Sequence, residues 1–164
     1  MKRPDGIDII IPIYNAFEDL KKCIASIFEC TDLEKHRLLL VNDASPDERI
    51  LPYIKSIESE RVLVVENEKN LGFSGSINHG ITESKNRDVL LLNSDTIVTK
   101  NWVEKILDCA YSDITIATVT PLSNNATLCS VPDAISFYTF PGQLHEEGPP
   151  EIPAAHCLAY FFAS

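Results

Sequence analysis

Basic residues are scarce in this chain. Fourteen Lys and Arg stand against 24 Asp and Glu over 164 residues, a net charge of −10. A protein that coats nucleic-acid phosphates needs a basic face to displace counterions, so a nucleic-acid partner is excluded. A phosphorylated small molecule stays admissible where a metal ion or backbone amides supply the local positive potential. Long apolar runs are missing too: the stretch from Cys157 to Ala163 falls far short of the ~20 residues that span a bilayer, and no transmembrane segment is expected. Met1-Lys2-Arg3 passes at once into Pro4-Asp5-Gly6, which is not the pattern of a signal or transit peptide. The cysteines (Cys23, Cys30, Cys109, Cys129, Cys157) include no C-x-x-C pair and are odd in number. They read as reduced, mostly buried small hydrophobes, so the chain is expected to be cytoplasmic. His36, His79, His145 and His156 match no zinc spacing, and no G-x-G-x-x-G, Walker loop or G-x-S-x-G occurs. Asn125-Ala126-Thr127 fits the glycosylation sequon, but a cytoplasmic chain does not meet that machinery.

With 45% hydrophobic and 23% charged residues, the composition is that of one globular domain over residues 1–164. About the first 120 residues repeat one rhythm of apolar run, turn and helical stripe. Ile7 to Tyr14 is an apolar β-branched run, as in a strand covered on both faces. Asn15 with Glu18 has the spacing of a capping box, opening a helix whose stripe is Phe17, Leu20, Ile24, Ile27 and Phe28. Leu38 to Val41 is a second strand. After it Ser45, Pro46 and Glu48 read as cap, first helical residue and box, and Pro52 makes that helix restart near itself. Val62 to Val65 and Val89 to Leu92 are further strands. Between them a small-residue turn, Asn70 to Ser76, enters a helix through about Ser84. A helix around Trp102 to Tyr111 and an alternating strand from Thr115 to Thr120 follow. Strands alternating with helices predict an α/β fold, a mainly parallel sheet with helices on both faces. Residues 121–153 are proline-rich and without period, an irregular region; Ala154 to Ala163 is a strand or a buried helix. The chain stops on Ser164 directly after an apolar run, and a C-terminal truncation is expected.

In an open α/β sheet, ligands bind beyond the carboxyl ends of the strands. Three strands here end in polar clusters, Pro12-Ile13-Tyr14-Asn15, Asn42-Asp43-Ala44-Ser45 and Asn93-Ser94-Asp95-Thr96, and the Asn70-Leu71-Gly72-Phe73 turn lies past a fourth. Each cluster alone is equally what a helix cap or turn requires. Asp95 follows a very apolar strand, which predicts a carboxylate with restricted solvent that needs a cation or hydrogen bonds, with Asn93 offering a neutral oxygen beside it. The alternative is that Asp95 caps the helix near Lys100. Asp43 is either an acceptor for a base or ribose or a turn residue before Ser45-Pro46. Tyr14 is either a wall for a flat base or a core residue.

At these residues the chain resembles the donor-binding N-terminal part of the family 2 glycosyltransferases, which have the Rossmann-like GT-A fold. The matching segments are DIIIPIYNAFEDLKKCIASI, LLLVNDASPD, ENEKNLGFSGSINHGI and DVLLLNSDTIVTKNWVEKI, and TPLSNNATLCSVP is similar to a stretch of one bacterial branch. Together they cover roughly residues 7–132 in the family's order. The resemblance implies transfer of a sugar from a nucleotide-diphosphate sugar (UDP-, GDP- or dTDP-linked) to a glycan or lipid-linked acceptor hydroxyl, with inversion. By position, Pro12, Ile13, Tyr14, Asn15 and Asp43 would surround base and ribose, and Asn70, Gly72 and Gly75 would complete the pocket. Asn93, Ser94 and Asp95 stand where the family has its D-x-D motif, with Asp95 binding Mn²⁺ or Mg²⁺; Asn93 replaces the first acid. The family's general base lies downstream, past a small-residue segment that Ala154 to Tyr160 resembles. No catalytic base is expected within these residues, and 154–164 would begin the acceptor half. The implied setting is cell-envelope polysaccharide synthesis at the inner membrane face. A non-catalytic nucleotide-sugar-binding module is the second reading. A sugar nucleotidyltransferase, which wants a Gly-rich basic loop after the first strand, does not suit Tyr14-Asn15-Ala16-Phe17-Glu18.

Overall fold

The computed structural model describes residues 3–85 and 87–121, together with the backbone of 159–162. Four parallel strands form its centre: β1 (Asp8–Ile13), β2 (Arg37–Asn42), β3 (Val62–Glu66) and β4 (Val89–Leu92). β5 (Thr118–Val119) and β6 (Ala159–Phe162) extend the sheet antiparallel beyond β4, giving the order β3-β2-β1-β4-β6-β5. The expected α/β sheet with helices on both faces is thus observed. The helices are α1 (Phe17–Cys30), α2 (Ile50–Ser56), α3 (Gly72–Ser84) and α4 (Trp102–Ala110).

Alternation along the strands assigns each helix to a face. Ile9, Ile11, Leu38, Leu40, Leu90 and Leu92 point into one core, which receives the buried stripes of α1, α2 and α4. Ile10, Leu39, Val41, Val89 and Leu91 point the other way and meet Ile77 of α3. Both faces are covered, so the central strands are apolar at nearly every position. α3 lies close to the sheet because residue 80 is glycine: a Cβ there would sit 2.6 Å from Ile10 Cγ2 and 3.2 Å from Val41 Cγ2.

At the amino end of this sheet Asp8 is fully buried at the start of β1. Arg37 Nε donates to it at 2.9 Å, Ser84 Oγ at 2.7 Å, and Arg87 Nε pairs with it at 2.8 Å, off line for a hydrogen bond. Two cations and a hydroxyl around one carboxylate satisfy its charge, and they tie the amino ends of β1, β2 and β4 and the end of α3 together.

Several local expectations are corrected. No side-chain cap closes α1: Ala16 is its N-cap, and both Asn15 (φ 60) and Ala16 (φ 55) take left-handed backbone. Ser45 does not cap α2 either, since its Oγ donates to Ile13 O and accepts from Asn15 N–H, both at 3.3 Å. α2 begins later, at Ile50, which leaves Pro52 in the first turn, where no backbone N–H is needed. The Thr115–Thr120 strand shrinks to Thr118–Val119, because Asp113 Oδ1 takes both the N–H (2.8 Å) and the Oγ–H (2.7 Å) of Thr115 into a turn. Within Ala154–Ala163 the described part is strand. The expectations for 122–158, including the sequon, His145 and His156, lie outside the described residues.

Candidate functional site

The strand order reverses between β1 and β4: β2 and β3 lie on one side of β1, β4 on the other, and α1 and α3 leave on opposite faces. The loops that follow these strands must splay apart there, which opens a crevice. It is a cavity of about 460 Å³ lined by Pro12, Ile13, Tyr14, Ala16, Asp43, Asn70, Gly72, Phe73, Asn93, Ser94 and Asp95. Segments as far apart in sequence as Pro12 and Asp95 are therefore gathered by topology. Two expected residues stay outside its wall. Asn15 turns its N–H to Ser45, and Gly75 lies in the first turn of α3, where an added Cβ would meet Leu71 Cβ at 2.5 Å. Ala16 and Phe73 belong to the wall although the sequence motifs did not single them out. Phe73 (54% exposed) and Tyr14 (50%) give the mouth an aromatic rim, so Tyr14 is not a core residue.

The two acids of the cavity are in opposite states. Asp43 is buried and held by its own chain: Oδ1 accepts from Leu71 N–H at 2.7 Å and Asn67 Nδ2 at 2.8 Å, and Oδ2 accepts from Gly72 N–H at 2.9 Å. Burial alone would raise its pKa, but the bonds from Leu71 N–H, Asn67, Ser76 and Gly72 N–H outweigh it and hold the carboxyl below the usual range. With about four lone-pair sites on a carboxylate, little acceptor capacity remains for a ligand. Gly72 makes this geometry possible, since its φ of +72° suits glycine. Its N–H also bonds Asn70 Oδ1 at 2.9 Å, closing the turn.

Asp95, by contrast, is exposed and carries no hydrogen bond or ion pair to a described residue. The expectation of restricted solvent is corrected: the chain leaves the sheet after Leu92 and turns, with Thr96 N–H bonding Asn93 O at 3.2 Å, which throws residue 95 outward. The helix-cap alternative fails as well, since Asn101 is the N-cap of α4. The turn itself is anchored on α1. Cys23 Sγ donates to Asn93 O at 3.6 Å, and Val98 N–H donates to Ser26 Oγ at 3.1 Å.

Among the described residues no Lys, Arg or His lines the cavity, while two carboxylates do. An anion entering there finds no side-chain cation among these residues and is favoured by a cation of its own or by backbone amides. Among the described residues no group of three or more His, Cys, Asp or Glu side chains forms a metal cage. A lone free carboxylate suits a hard divalent cation that takes its remaining ligands from phosphate and water. The residues thus fit a metal that arrives with a phosphorylated ligand.

Behind Asp43 lies a buried network that sequence motifs did not mark. Asn67, just past β3, donates its amide to Asp43 and to Ser76 Oγ (2.9 Å), and its Oδ1 lies 2.6 Å from His79 Nδ1. The available signal was Ser76 on the Ile77–Gly80–Ser84 side of α3, a polar residue on a helix face turned to the sheet.

Comparison with known proteins agrees with this architecture. The sequence model of Glycosyl transferase family 2 matches residues 8–162. An uncharacterized glycosyltransferase of Haemophilus influenzae is 29% identical over 103 residues, 62% of this chain and 31% of the relative. Poly-beta-1,6-N-acetyl-D-glucosamine synthase of Staphylococcus aureus is 26% identical over 107 residues, 61% of this chain and 26% of its own length. The chain thus spans less than a third of either relative. Among solved structures, the mannosyltransferase PcManGT from Pyrobaculum calidifontis, in complex with GDP-Man and Mn²⁺, superposes with a TM-score of 0.64 at 17% identity. That match covers 74% of this chain and 36% of the mannosyltransferase. GalNAc-T7 with UDP, GalNAc and Mn²⁺ gives 0.62 at 20% identity over 74% of this chain and 23% of its own. These two likenesses concern the fold, which is that of GT-A glycosyltransferases. By the family match, which runs over nearly the whole sheet and its helices, the chain belongs to glycosyl transferase family 2.

Proposed function

We propose that this chain is the donor-binding half of an inverting, metal-dependent glycosyltransferase that uses a nucleotide-diphosphate sugar. The observation that carries the reading is the cavity's charge: among the described residues it holds two carboxylates and no cationic side chain, and Asp95 has no bond to any of them. Such a wall repels a diphosphate unless a divalent cation comes with it.

In this reading the base lies against Tyr14, beside Pro12 and Ile13, and Asp43 with Asn70 and Gly72 shapes the nucleotide pocket. Phe73 joins that wall. Asp95 would hold Mn²⁺ or Mg²⁺, with Asn93 and Ser94 beside it. When bound, the cation offsets the charge that builds on the leaving diphosphate. The acceptor hydroxyl of a glycan or lipid-linked sugar attacks the anomeric carbon from the face opposite the diphosphate, which inverts it. A carboxylate base outside these 164 residues takes the hydroxyl proton. The free Cys30 and Cys109 accord with a reducing, cytoplasmic setting. The short coverage of the relatives accords with a half rather than a whole enzyme.

The test is calorimetric titration of the chain with UDP, GDP and dTDP, each with and without Mn²⁺. Saturable binding of one of them that requires the metal is expected; no binding of any of the three, with metal present, would overturn the reading. A binding module without catalysis is the second reading, favoured by Asn93 at the position of the first acid. Release of sugar from an intact donor by the full-length protein would exclude it.

A further inference from the structure

Asp43 is oriented by a side chain that never reaches the cavity. Asn67 is 7% exposed, and its backbone N–H bonds Asn42 O at 2.9 Å, prolonging the β2–β3 ladder by one residue. Its side-chain amide is committed in a single orientation. Both amide hydrogens are spent, on Asp43 Oδ1 at 2.8 Å and on Ser76 Oγ at 2.9 Å. Flipping the amide would set its oxygen against the Asp43 carboxylate, two acceptors face to face. The amide oxygen in turn can only accept, so the partner 2.6 Å away, His79 Nδ1, carries the hydrogen. A chain of donors therefore runs from α3 through β3 to the acid at the end of β2: His79 to Asn67 to Asp43. Asp43 passes the constraint to the Leu71–Gly72 turn, whose two N–H groups it accepts.

We infer that Asn67, held by His79, is a positioning residue for donor binding: it presets Asp43 and the Asn70–Phe73 wall before any ligand arrives. The inference rests on the nucleotide-sugar reading for its binding readout and not for its structural one. Removal of the His79 link leaves the Asn67 amide held only by Asp43 and Ser76 and so less firmly set, after which part of the order of Asp43 and the turn must come from the ligand at the expense of affinity.

The test compares His79→Leu, which removes the donor, with His79→Asn, whose amide nitrogen can replace Nδ1, and adds Asn67→Ala. Hydrogen exchange is followed at Leu71 and Gly72, with Ile10 and Leu39 as core controls, and nucleotide titration is run with Mn²⁺. A hydrogen bond of ordinary strength predicts about a threefold to tenfold faster exchange at Leu71 and Gly72 in His79→Leu, with a similar loss of nucleotide affinity. Core protection stays unchanged, and His79→Asn recovers to within about twofold. Unchanged exchange at Leu71 and Gly72 in both His79→Leu and Asn67→Ala would overturn the inference. So would a uniform rise that includes Ile10 and Leu39, which marks a general loss of stability. If the exchange pattern appears as expected while the wild-type chain binds no nucleotide, the donor reading fails and the positioning of the wall stands.

Discussion

Asp43 Oδ1 accepts the amide hydrogen of Leu71 at 2.7 Å, and with the neighbouring bond from Gly72 N–H to Oδ2 it joins the end of β2 to the start of α3. An acid that looks from its position like a ligand for substrate is, in the folded chain, chiefly a clasp on the wall.

Asp43→Asn should therefore destabilise the protein before it affects any ligand. An amide in place of the carboxylate turns a donor toward donors from Leu71, Gly72 or Asn67, and a buried polar group left unpaired costs about 1–3 kcal/mol. The acid limb of stability should change too. Because the folded pKa of Asp43 is held low, its contribution is complete above the unfolded value of about 3.9 and is lost as pH falls through the folded value. Urea denaturation from pH 6 to pH 2.5 should show a flatter acid limb in Asp43→Asn than in the wild type.

Gly80→Ala tests the close approach of α3. Its methyl would sit 2.6 Å from Ile10 Cγ2 with Val41 Cγ2 at 3.2 Å, and forcing that space open costs about 1–3 kcal/mol. Helix propensity runs the other way by about 1 kcal/mol in favour of alanine, so a fall in Tm measures the steric effect against that gain. An unchanged or raised Tm would show that α3 can move outward freely.

His36 should make stability fall below neutral pH. It is buried, and its Nδ1 accepts the Ile7 N–H at 3.3 Å, a bond the protonated ring cannot accept. Burial lowers its pKa, and the Glu104 carboxylate, 3.6 Å from Nε2, only partly opposes this. The folded pKa lies below the unfolded value of about 6.5, so the contribution is complete above that pH and lost as pH drops through the folded value. His36→Asn, whose side-chain oxygen can accept the Ile7 N–H, should remove this slope between pH 6.5 and 5 in denaturation curves.

The sequence made the strands legible because both faces of the sheet are covered. Val89–Leu92 is a continuous apolar run bounded by polar residues, and the strand has those same limits. The rim was legible for the same reason, since polar clusters directly after such strands have no core to enter. Cap spacing misled at Asn15 and Ser45, where contacts between the ends of β1 and β2 claimed the groups that a local cap would use. Asn67, Ser76 and His79 escaped because their bonds join β3 to α3, and no spacing in a linear sequence marks a pairing made by packing. Asp95 was placed at the right edge and given the wrong exposure, as a strand's hydrophobicity says nothing about the turn that follows it.

The most direct measurement is the titration of Asp95→Ala beside the wild type with the best-bound nucleotide, with and without Mn²⁺, accompanied by thermal denaturation of both. Asp95 has no bond to the rest of the described chain, so the variant should melt as the wild type does. The account predicts that its Mn²⁺-dependent gain in nucleotide affinity disappears. Metal-dependent binding retained at wild-type strength in Asp95→Ala would contradict it.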